Sequence, residues 1–164
     1  MDRSTKSAIE SWLAIRVSRP LAVYVTLEVE TLPRIAGSIQ RHFEFPSIPI
    51  GKDLGEALLD SPPGRRVRDT QRWLQERCAA ADDRPLLLTD VDLLFHAGLD
   101  RESTDRLDQM ALLARASHIH PLLVMWPGSF DGATLSYAVP EHGHYQYWRR
   151  PGAHVIHTQV GAAA

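Results

Sequence analysis

The chain has 164 residues, of which 44% are hydrophobic and 23% charged, a size and composition typical of one soluble globular domain. The formal net charge of −2 gives no general attraction for nucleic acid, and no apolar run approaches the ~20 residues of a membrane span. Cys78 is the only cysteine, so an intramolecular disulfide is excluded and a reducing compartment is expected. The first residues are polar and charged, unlike a secretory signal, so we expect a cytoplasmic protein.

The first half of the chain is predicted to alternate helices and short strands. Ile9, Trp12 and Leu13 recur at helical spacing within residues 4–17, which predicts an amphipathic helix that ends before Pro20. Residues 21–25 are apolar, rich in β-formers and too short for a buried helix, so we predict a strand there. Four more elements follow in chain order: a helix at 33–43 with proline in its first turn, a short strand or extended passage at 45–50, a short helix at 54–59 and a longer helix at 65–81.

The second half contains two apolar runs and a region of alternating residues. Residues 84–95 are interpreted as a buried strand that brings two aspartates to its C-terminal end, and a leucine-rich helix is predicted at 103–116. A continuous apolar strand at 121–126 is expected to stop at Pro127-Gly128. A turn signal followed by alternation at 130–137, and the aromatic residues after it, predict a terminal hairpin.

This order of elements predicts the fold class. Strands that alternate with helices and are apolar on both faces are typical of a parallel sheet covered on both sides. We therefore predict a three-layer α/β/α domain with an antiparallel hairpin at its C-terminal end. Its predicted parts are an N-terminal helix at 1–18, an α/β core at 19–128, a hairpin extension at 129–159 and a tail at 160–164.

Asp90 and Asp92 are the first candidate site residues. Carboxylates at the end of a buried strand are the arrangement with which nucleoside triphosphatases hold Mg²⁺, and residues two apart share one face of a strand. A structural interpretation competes, because aspartates after strands often cap a turn or the next helix. The phosphate-binding loop that should accompany a nucleotide site is missing, since residues 26–32 contain no glycine or lysine and include Glu28 and Glu30.

Two further acidic positions have a structural alternative. Gly51-Lys52-Asp53 resembles the end of a phosphate loop, but a turn that leads into a helix, with Asp53 as its cap, explains it better. Asp131 is a conceivable third oxygen ligand beside Asp90 and Asp92, although Asp-Gly is above all a turn dipeptide.

Histidine, arginine and cysteine residues give weaker signals. The His-x-His pairs could chelate zinc, but no second cysteine completes a ligand set, and pairs in loops are usually solvated. Cys78 is predicted to be a small buried hydrophobe within a helix. Arginines interleaved with aromatic residues could bind single-stranded nucleic acid, whereas the acidic residues among them favour an ion-paired solvated face. The histidines are His118, His120, His142, His144, His154 and His157, and the arginines are Arg65, Arg66, Arg68, Arg72, Arg77, Arg149 and Arg150.

Four stretches of the chain resemble a known family. Residues 86–95, the pattern Trp-Pro-Gly-x-Phe-x-Gly at 126–132, and residues 135–137 and 145–147 resemble BrxF, the small P-loop-containing component of bacteriophage-exclusion (BREX) systems. A second small component of these systems, BrxB, is also similar, through Thr89-Asp90-Val91, the Trp-Pro-Gly turn and the late tyrosines. The resemblance to BrxF implies a P-loop NTPase core of the AAA or RecA type, whereas BrxB has no phosphate loop.

Both resemblances imply an accessory protein rather than a catalyst. Its expected partners are other proteins of a phage-defence complex, namely a large ATPase, an alkaline-phosphatase-like protein or a methyltransferase, or a second copy of the chain, and no cofactor is expected. An aromatic partner surface is predicted from Trp126, Phe130, Tyr137, Tyr145, Tyr147 and Trp148. The alternative for many of these residues is the core, because aromatic residues of a terminal hairpin usually pack on the sheet. Two alternatives stay open: an ATPase subunit that holds ATP and Mg²⁺ at Asp90 and Asp92 with help from a partner, and a nucleic-acid-binding module that uses the arginines.

Overall fold

A computed structural model describes residues 1–95 and 107–157 of the chain. The tail predicted at 160–164 and the first residues of the helix predicted at 103–116 lie outside these ranges. The helices are α1 Arg3–Ile15, α2 Leu32–Phe43, α3 Ile50–Ala57, α4 Arg66–Ala79 and α5 Gln109–Ile119, with short 3-10 turns at Val29–Thr31, Pro63–Arg65 and Val91–Phe95. The strands are β1 Leu21–Thr26, β2 Ser47–Pro49, β3 Leu86–Thr89, β4 Leu122–Phe130, β5 Thr134–Tyr137, β6 Gln146–Arg149 and β7 His154–His157.

The strands form one mostly parallel sheet. Five of them are parallel in the order β2-β3-β4-β1-β7, with β1 in register with β4 from Leu21 opposite Leu122 to Thr26 opposite Pro127. The β5–β6 hairpin extends the far end of β4 through antiparallel pairs. The predicted α/β class, parallel sheet and antiparallel hairpin are therefore confirmed.

Helices cover both faces of the sheet, which is why its strands are apolar on both sides. Alternate residues of β1 face opposite layers: Val23 packs with α3, α4 and α5, while Tyr24 packs with α1 and α2. Trp12 of α1 and Ile39 of α2 are fully buried against the second face. Burying both faces of a parallel sheet in this way requires the continuous apolar runs seen in the sequence.

The predicted end of β4 at Pro127-Gly128 is wrong, because the strand continues to Phe130. Pro127 is the last residue of β4 that pairs with β1, and Gly128 is the first that pairs with β5. Proline lacks an N–H for a ladder hydrogen bond, so it fits the position where a strand changes partners. Its carbonyl still accepts a 2.9 Å hydrogen bond from the N–H of Ala138.

Two other boundaries differ from the prediction. Residues 154–157 were assigned to the hairpin extension, but they form β7, which pairs in parallel with β1 from Ala22 opposite His154. Only Ile156 of this strand is fully buried, so its sequence carries no apolar run that would identify a sheet strand. The short helix predicted at 54–59 spans Ile50–Ala57 instead, directly after Pro49 of β2.

No helix within the described residues is both long and apolar enough to cross a membrane.

Candidate functional site

A cavity of about 420 Å³ opens at the C-terminal end of the parallel strands, between α2 and the ends of β3 and β4. Its apolar walls come from Leu32, Pro33, Ala36, Val91, Met125 and Pro127. Asp90 and Asp92 lie on its border with Gln40, Ser47 and Thr89. The structure thus brings the two predicted carboxylates to one mostly apolar cavity.

The cavity lies where open α/β sheets usually bind ligands. The helix that follows β1 covers one face of the sheet, whereas the 3-10 turn and helix that follow β3 cover the other face. The chain therefore turns to opposite faces after β1 and β3, which lie on either side of β4, and the cavity is at the carboxyl ends of the strands, where open α/β sheets bind ligands. Position in the fold makes this cavity the leading candidate for a functional site.

Asp90 does not continue the strand that precedes it, contrary to the prediction. β3 ends at Thr89, and Asp90 has a left-handed backbone with φ of 52°. Its carbonyl accepts a 3.0 Å hydrogen bond from the N–H of Gly51, at the start of α3. Its carboxylate lies so close to Gly51 that a Cβ there would be 2.2 Å from Oδ2. A side chain at position 51 would therefore have to displace the carboxylate of Asp90, which gives Gly51 a structural role.

Asp92 is held by the hairpin. It lies in the 3-10 turn Val91–Phe95, and its Oδ1 accepts a 2.5 Å hydrogen bond from the hydroxyl of Tyr137. The pKa of Tyr137 is raised, first by burial and then by the hydrogen bond to Asp92 and its negative charge. Asp90 and Asp92 therefore do not project from one extended strand, and each has its own contact.

The predicted helix cap at Asp53 is also wrong. Pro49 occupies the N-cap position of α3 and makes no side-chain cap. Asp53 lies in the first turn of the helix, with Oδ2 3.4 Å from Nη1 of Arg77. The turn predicted at Asp131 is confirmed: Oδ1 accepts hydrogen bonds from the N–H groups of Thr134 at 2.7 Å and Ala133 at 2.9 Å, and these bonds lower the pKa of Asp131.

Two members of the predicted aromatic partner surface belong to the core. Trp126 is fully buried and Tyr137 is 3% exposed, so neither can present a surface. Tyr137 stacks on Phe95 at 3.7 Å between ring centroids, and Trp126 meets Phe95 and Trp148 edge to face. This cluster attaches the hairpin to the sheet, as aromatic residues do in a core. The remaining predicted residues are half-buried, namely Phe130, Tyr145 and Trp148, or exposed, namely Tyr147.

The Trp-Pro-Gly sequence has a structural explanation at the start of the hairpin. Nε1 of Trp126 donates a 3.0 Å hydrogen bond to the carbonyl of Ser136. A Cβ on Gly128 would lie 1.8 Å from the same carbonyl oxygen, so only glycine fits there. The most specific part of the sequence pattern therefore serves to pack the end of β4 closely against β5.

The connection from β1 to α2 is the segment in which a nucleotide-binding protein of the expected type would carry its phosphate loop. Leu27 and Val29 are about half exposed, at 52% and 51%, and Glu28 and Glu30 are exposed beside them. The connection is ordered locally by Thr31, whose hydroxyl donates a 2.7 Å hydrogen bond to the carbonyl of Glu28. The glutamates were identified from the sequence but the exposed apolar pair was missed, although Val29 between two glutamates and Leu27 directly before the first were a visible signal.

The candidate histidines and arginines are distributed over α4 and the turn before it, the end of α5, the β5–β6 connection, β6 and its end, and β7. Within residues 1–95 and 107–157, no three His, Cys, Asp or Glu side chains are placed to hold a metal ion together. The pKa of His154 is lowered by its partial burial and by the charge of Arg19. Arg72 and Arg77 each lie within 4 Å of an aspartate. Cys78 is buried as predicted, and burial raises the pKa of its thiol to about 11.

Comparison of this chain with protein-family models, curated proteins and solved structures gives no match in any of the three. The functional interpretation therefore rests on the chemistry of the residues above.

Proposed function

We propose that this chain is a non-catalytic assembly component of a bacterial phage-defence complex of the BREX type, acting in the cytoplasm. It binds another protein of the complex through the C-terminal edge of its parallel sheet. The central order β2-β3-β4-β1-β7, with helices on both faces, is compatible with the AAA-like core that the sequence resemblance implies.

The chemistry of the connection from β1 to α2 carries this proposal. At the position where a nucleotide-binding core would offer glycine N–H groups and a lysine, this chain exposes Glu28 and Glu30. Leu27 and Val29 beside them place apolar surface in contact with water. An exposed apolar pair with an acidic border suits contact with a protein better than contact with a triphosphate.

The alternative of ATP and Mg²⁺ at Asp90 and Asp92 is less well supported. Oδ1 of Asp92 already accepts the hydroxyl of Tyr137, and the carboxylate of Asp90 lies against Gly51. The glutamates of the neighbouring connection would repel a triphosphate. The donor set at this edge therefore does not fit a nucleotide, and the proposal requires none. Calorimetry with ATP and Mg²⁺, with and without the large ATPase, tests this alternative directly.

The alternative of nucleic-acid binding depends on the arginines of α4 and β6. Arg72 pairs with Asp69 at 3.8 Å and Arg77 with Asp53 at 3.4 Å, so part of this basic face is already neutralised. Binding through phosphate contacts would weaken steeply with salt. Duplex or single-stranded DNA that fails to bind at low salt would remove this alternative.

Paired lysine substitutions test the proposed surface. Leu27→Lys with Val29→Lys replaces the exposed apolar pair by two charged residues. Leu59→Lys with Ile119→Lys is the control, because it makes the same change at two other exposed apolar residues, which are 80% and 49% exposed. The tagged chain is isolated from cells that carry the defence system. The first variant should lose its large ATPase, alkaline-phosphatase-like or methyltransferase partner and its phage protection, and the second should keep both. Retention of partner and protection in the first variant would contradict the proposal.

A further inference from the structure

We infer that the cavity between α2 and the ends of β3 and β4 receives an arginine side chain of a partner protein, presented between apolar residues. The inference rests on the proposed function, because it assumes a protein partner, and it names the chemistry of the segment that this partner inserts. Three independent observations support the inference: the charge of the residues that line the cavity, the shape of its walls, and the surface beside it.

Among the described residues that line the cavity, the charged side chains are all acidic. Asp90 and Asp92 border it, and none of the described residues that line it is lysine, arginine or histidine. The guanidinium of Arg41 lies outside this lining, on the side of Gly37, where a Cβ would be 3.4 Å from Nη1. A carboxylate has two oxygens and about four acceptor positions, so Asp92 keeps acceptor capacity beyond its hydrogen bond to Tyr137. A cation that enters the cavity would therefore contact two carboxylates, and no basic residue of the lining would have to move.

The walls of the cavity suit an aliphatic stem that ends in a charge. Leu32, Ala36 and Met125 provide apolar contact, and the carboxylates lie where β3 ends. Arginine combines a long apolar stem with a planar head whose N–H groups match carboxylate oxygens. A cavity of about 420 Å³ is within the range of small ligand sites and has room for such a side chain.

The surface beside the cavity indicates which residues lie on either side of the arginine in the partner's sequence. Val29 borders the cavity and is 51% exposed, and Leu27 is exposed in the same connection. Apolar residues on either side of the inserted arginine would cover this pair. Glu28 and Glu30 in the same connection would attract a basic segment and repel an acidic one. The occupant is thus a basic and apolar segment of a protein chain.

A pair of peptides provides the probe. Acetyl-Val-Arg-Leu-amide carries the charge, and the same peptide with citrulline in place of arginine is nearly identical in shape but neutral. Binding is followed by NMR chemical shifts of backbone amides in the full chain. We expect saturable shifts around the cavity with the arginine peptide, binding at least about fivefold weaker with citrulline, and weaker binding of the arginine peptide as salt is added.

Two variants and two controls test the location. Gly37→Leu adds a bulky side chain at a residue of α2 that lines the cavity, where a Cβ would meet Nη1 of Arg41 at 3.4 Å, and it should abolish binding. Asp90→Asn with Asp92→Asn keeps both side-chain shapes and should reduce arginine binding to the citrulline level. Gly143→Leu, at an open position, and Asp60→Asn with Asp83→Asn, at exposed aspartates, should leave binding unchanged.

Several results would overturn the inference. These are equal binding of the two peptides, no saturable shifts at about 10 mM peptide, or equal losses in the variants and their controls. Failure of the inference is distinguishable from failure of the proposed function. If Gly37→Leu prevents peptide binding but the tagged wild-type chain joins no defence complex, the proposed function is wrong and the inferred arginine binding in the cavity stands. If Gly37→Leu leaves both the complex and protection intact, the inference is wrong and the function stands.

Discussion

The hydroxyl of Tyr137 on β5 donates a hydrogen bond to the carboxylate of Asp92 in the turn after β3, with 2.5 Å between the oxygens. This bond joins the hairpin to the border of the cavity, so the position of one candidate residue depends on an element far along the chain. The ring of Tyr137 is held separately, by its stack on Phe95. The two contributions can therefore be tested apart.

Tyr137→Phe removes the hydrogen bond and keeps the stacked ring. We expect the free energy of unfolding to fall by about 1–2 kcal/mol, because a bond to a charged acceptor is lost while the apolar contacts stay. Urea denaturation followed by tryptophan fluorescence measures the change. Tyr147→Phe is the matched control, since Tyr147 is 55% exposed and should be close to neutral. Equal midpoints for the two variants would show that the bond to Asp92 contributes nothing.

Gly128→Ala is expected to be strongly destabilising. A Cβ at this position would lie 1.8 Å from the backbone oxygen of Ser136, so the hairpin would have to move, at a cost of about 3 kcal/mol or more. Thermal unfolding followed by circular dichroism measures the loss. Gly143→Ala makes the same change where nothing lies within 4 Å and should be neutral or slightly stabilising. A wild-type melting temperature for Gly128→Ala would refute the close contact.

Gly51→Ala tests the contact between α3 and Asp90. The new methyl group would collide with the carboxylate of Asp90, and we expect a loss of about 1 kcal/mol, because this exposed side chain can move aside in part. Adding Asp90→Ala removes the obstructing atoms and should restore most of the stability. The coupling is obtained from urea denaturation of the two single variants and the double variant. Additive effects of the two substitutions would argue against the contact.

The buried thiol of Cys78 predicts a loss of stability in alkali. Its pKa is raised by burial to about 11, from an ordinary value of 9.0, so the folded protein keeps a proton that the unfolded chain releases. This contribution is complete below pH about 9 and is lost as the pH rises towards about 11. Cys78→Ala lacks the thiol, so the difference in free energy of unfolding between wild type and variant should shrink between pH 8 and 10.5. A constant difference over that range would contradict the prediction.

The elements that were predicted correctly are those whose local pattern agrees with their packing. β1 is a short apolar run buried on both faces, and α2 carries Ile39 against the sheet and proline in its first turn. The local sequence pattern gave a wrong prediction where a strand changes the strand with which it pairs. Pro127 ordinarily stops a central strand, and only its pairing first with β1 and then with β5 explains its place inside β4.

The candidate site was predictable as a location and not as a geometry. Acidic residues after an apolar run correctly indicated the carboxyl edge of the sheet. The left-handed backbone of Asp90, its contact with Gly51 and the bond from Tyr137 to Asp92 each depend on residues distant in sequence. Aromatic residues in a terminal hairpin look the same in sequence whether they face solvent or the core. Trp126 and Tyr137 were therefore misassigned to a partner surface.

The place of β1 between β4 and β7 has a consequence for synthesis of the protein. β1 leaves the ribosome before both strands that pair with it, because β4 and β7 come later in the chain. The backbone groups of β1 that pair with β4 lack their partners until residue 127 has emerged, and those that pair with β7 lack theirs until residue 157 has emerged. Pairing between such distant segments folds slowly and leaves open strand edges exposed in the meantime. β1, an internal strand of the finished sheet, is therefore open to wrong pairing on both of its edges while the chain is being made.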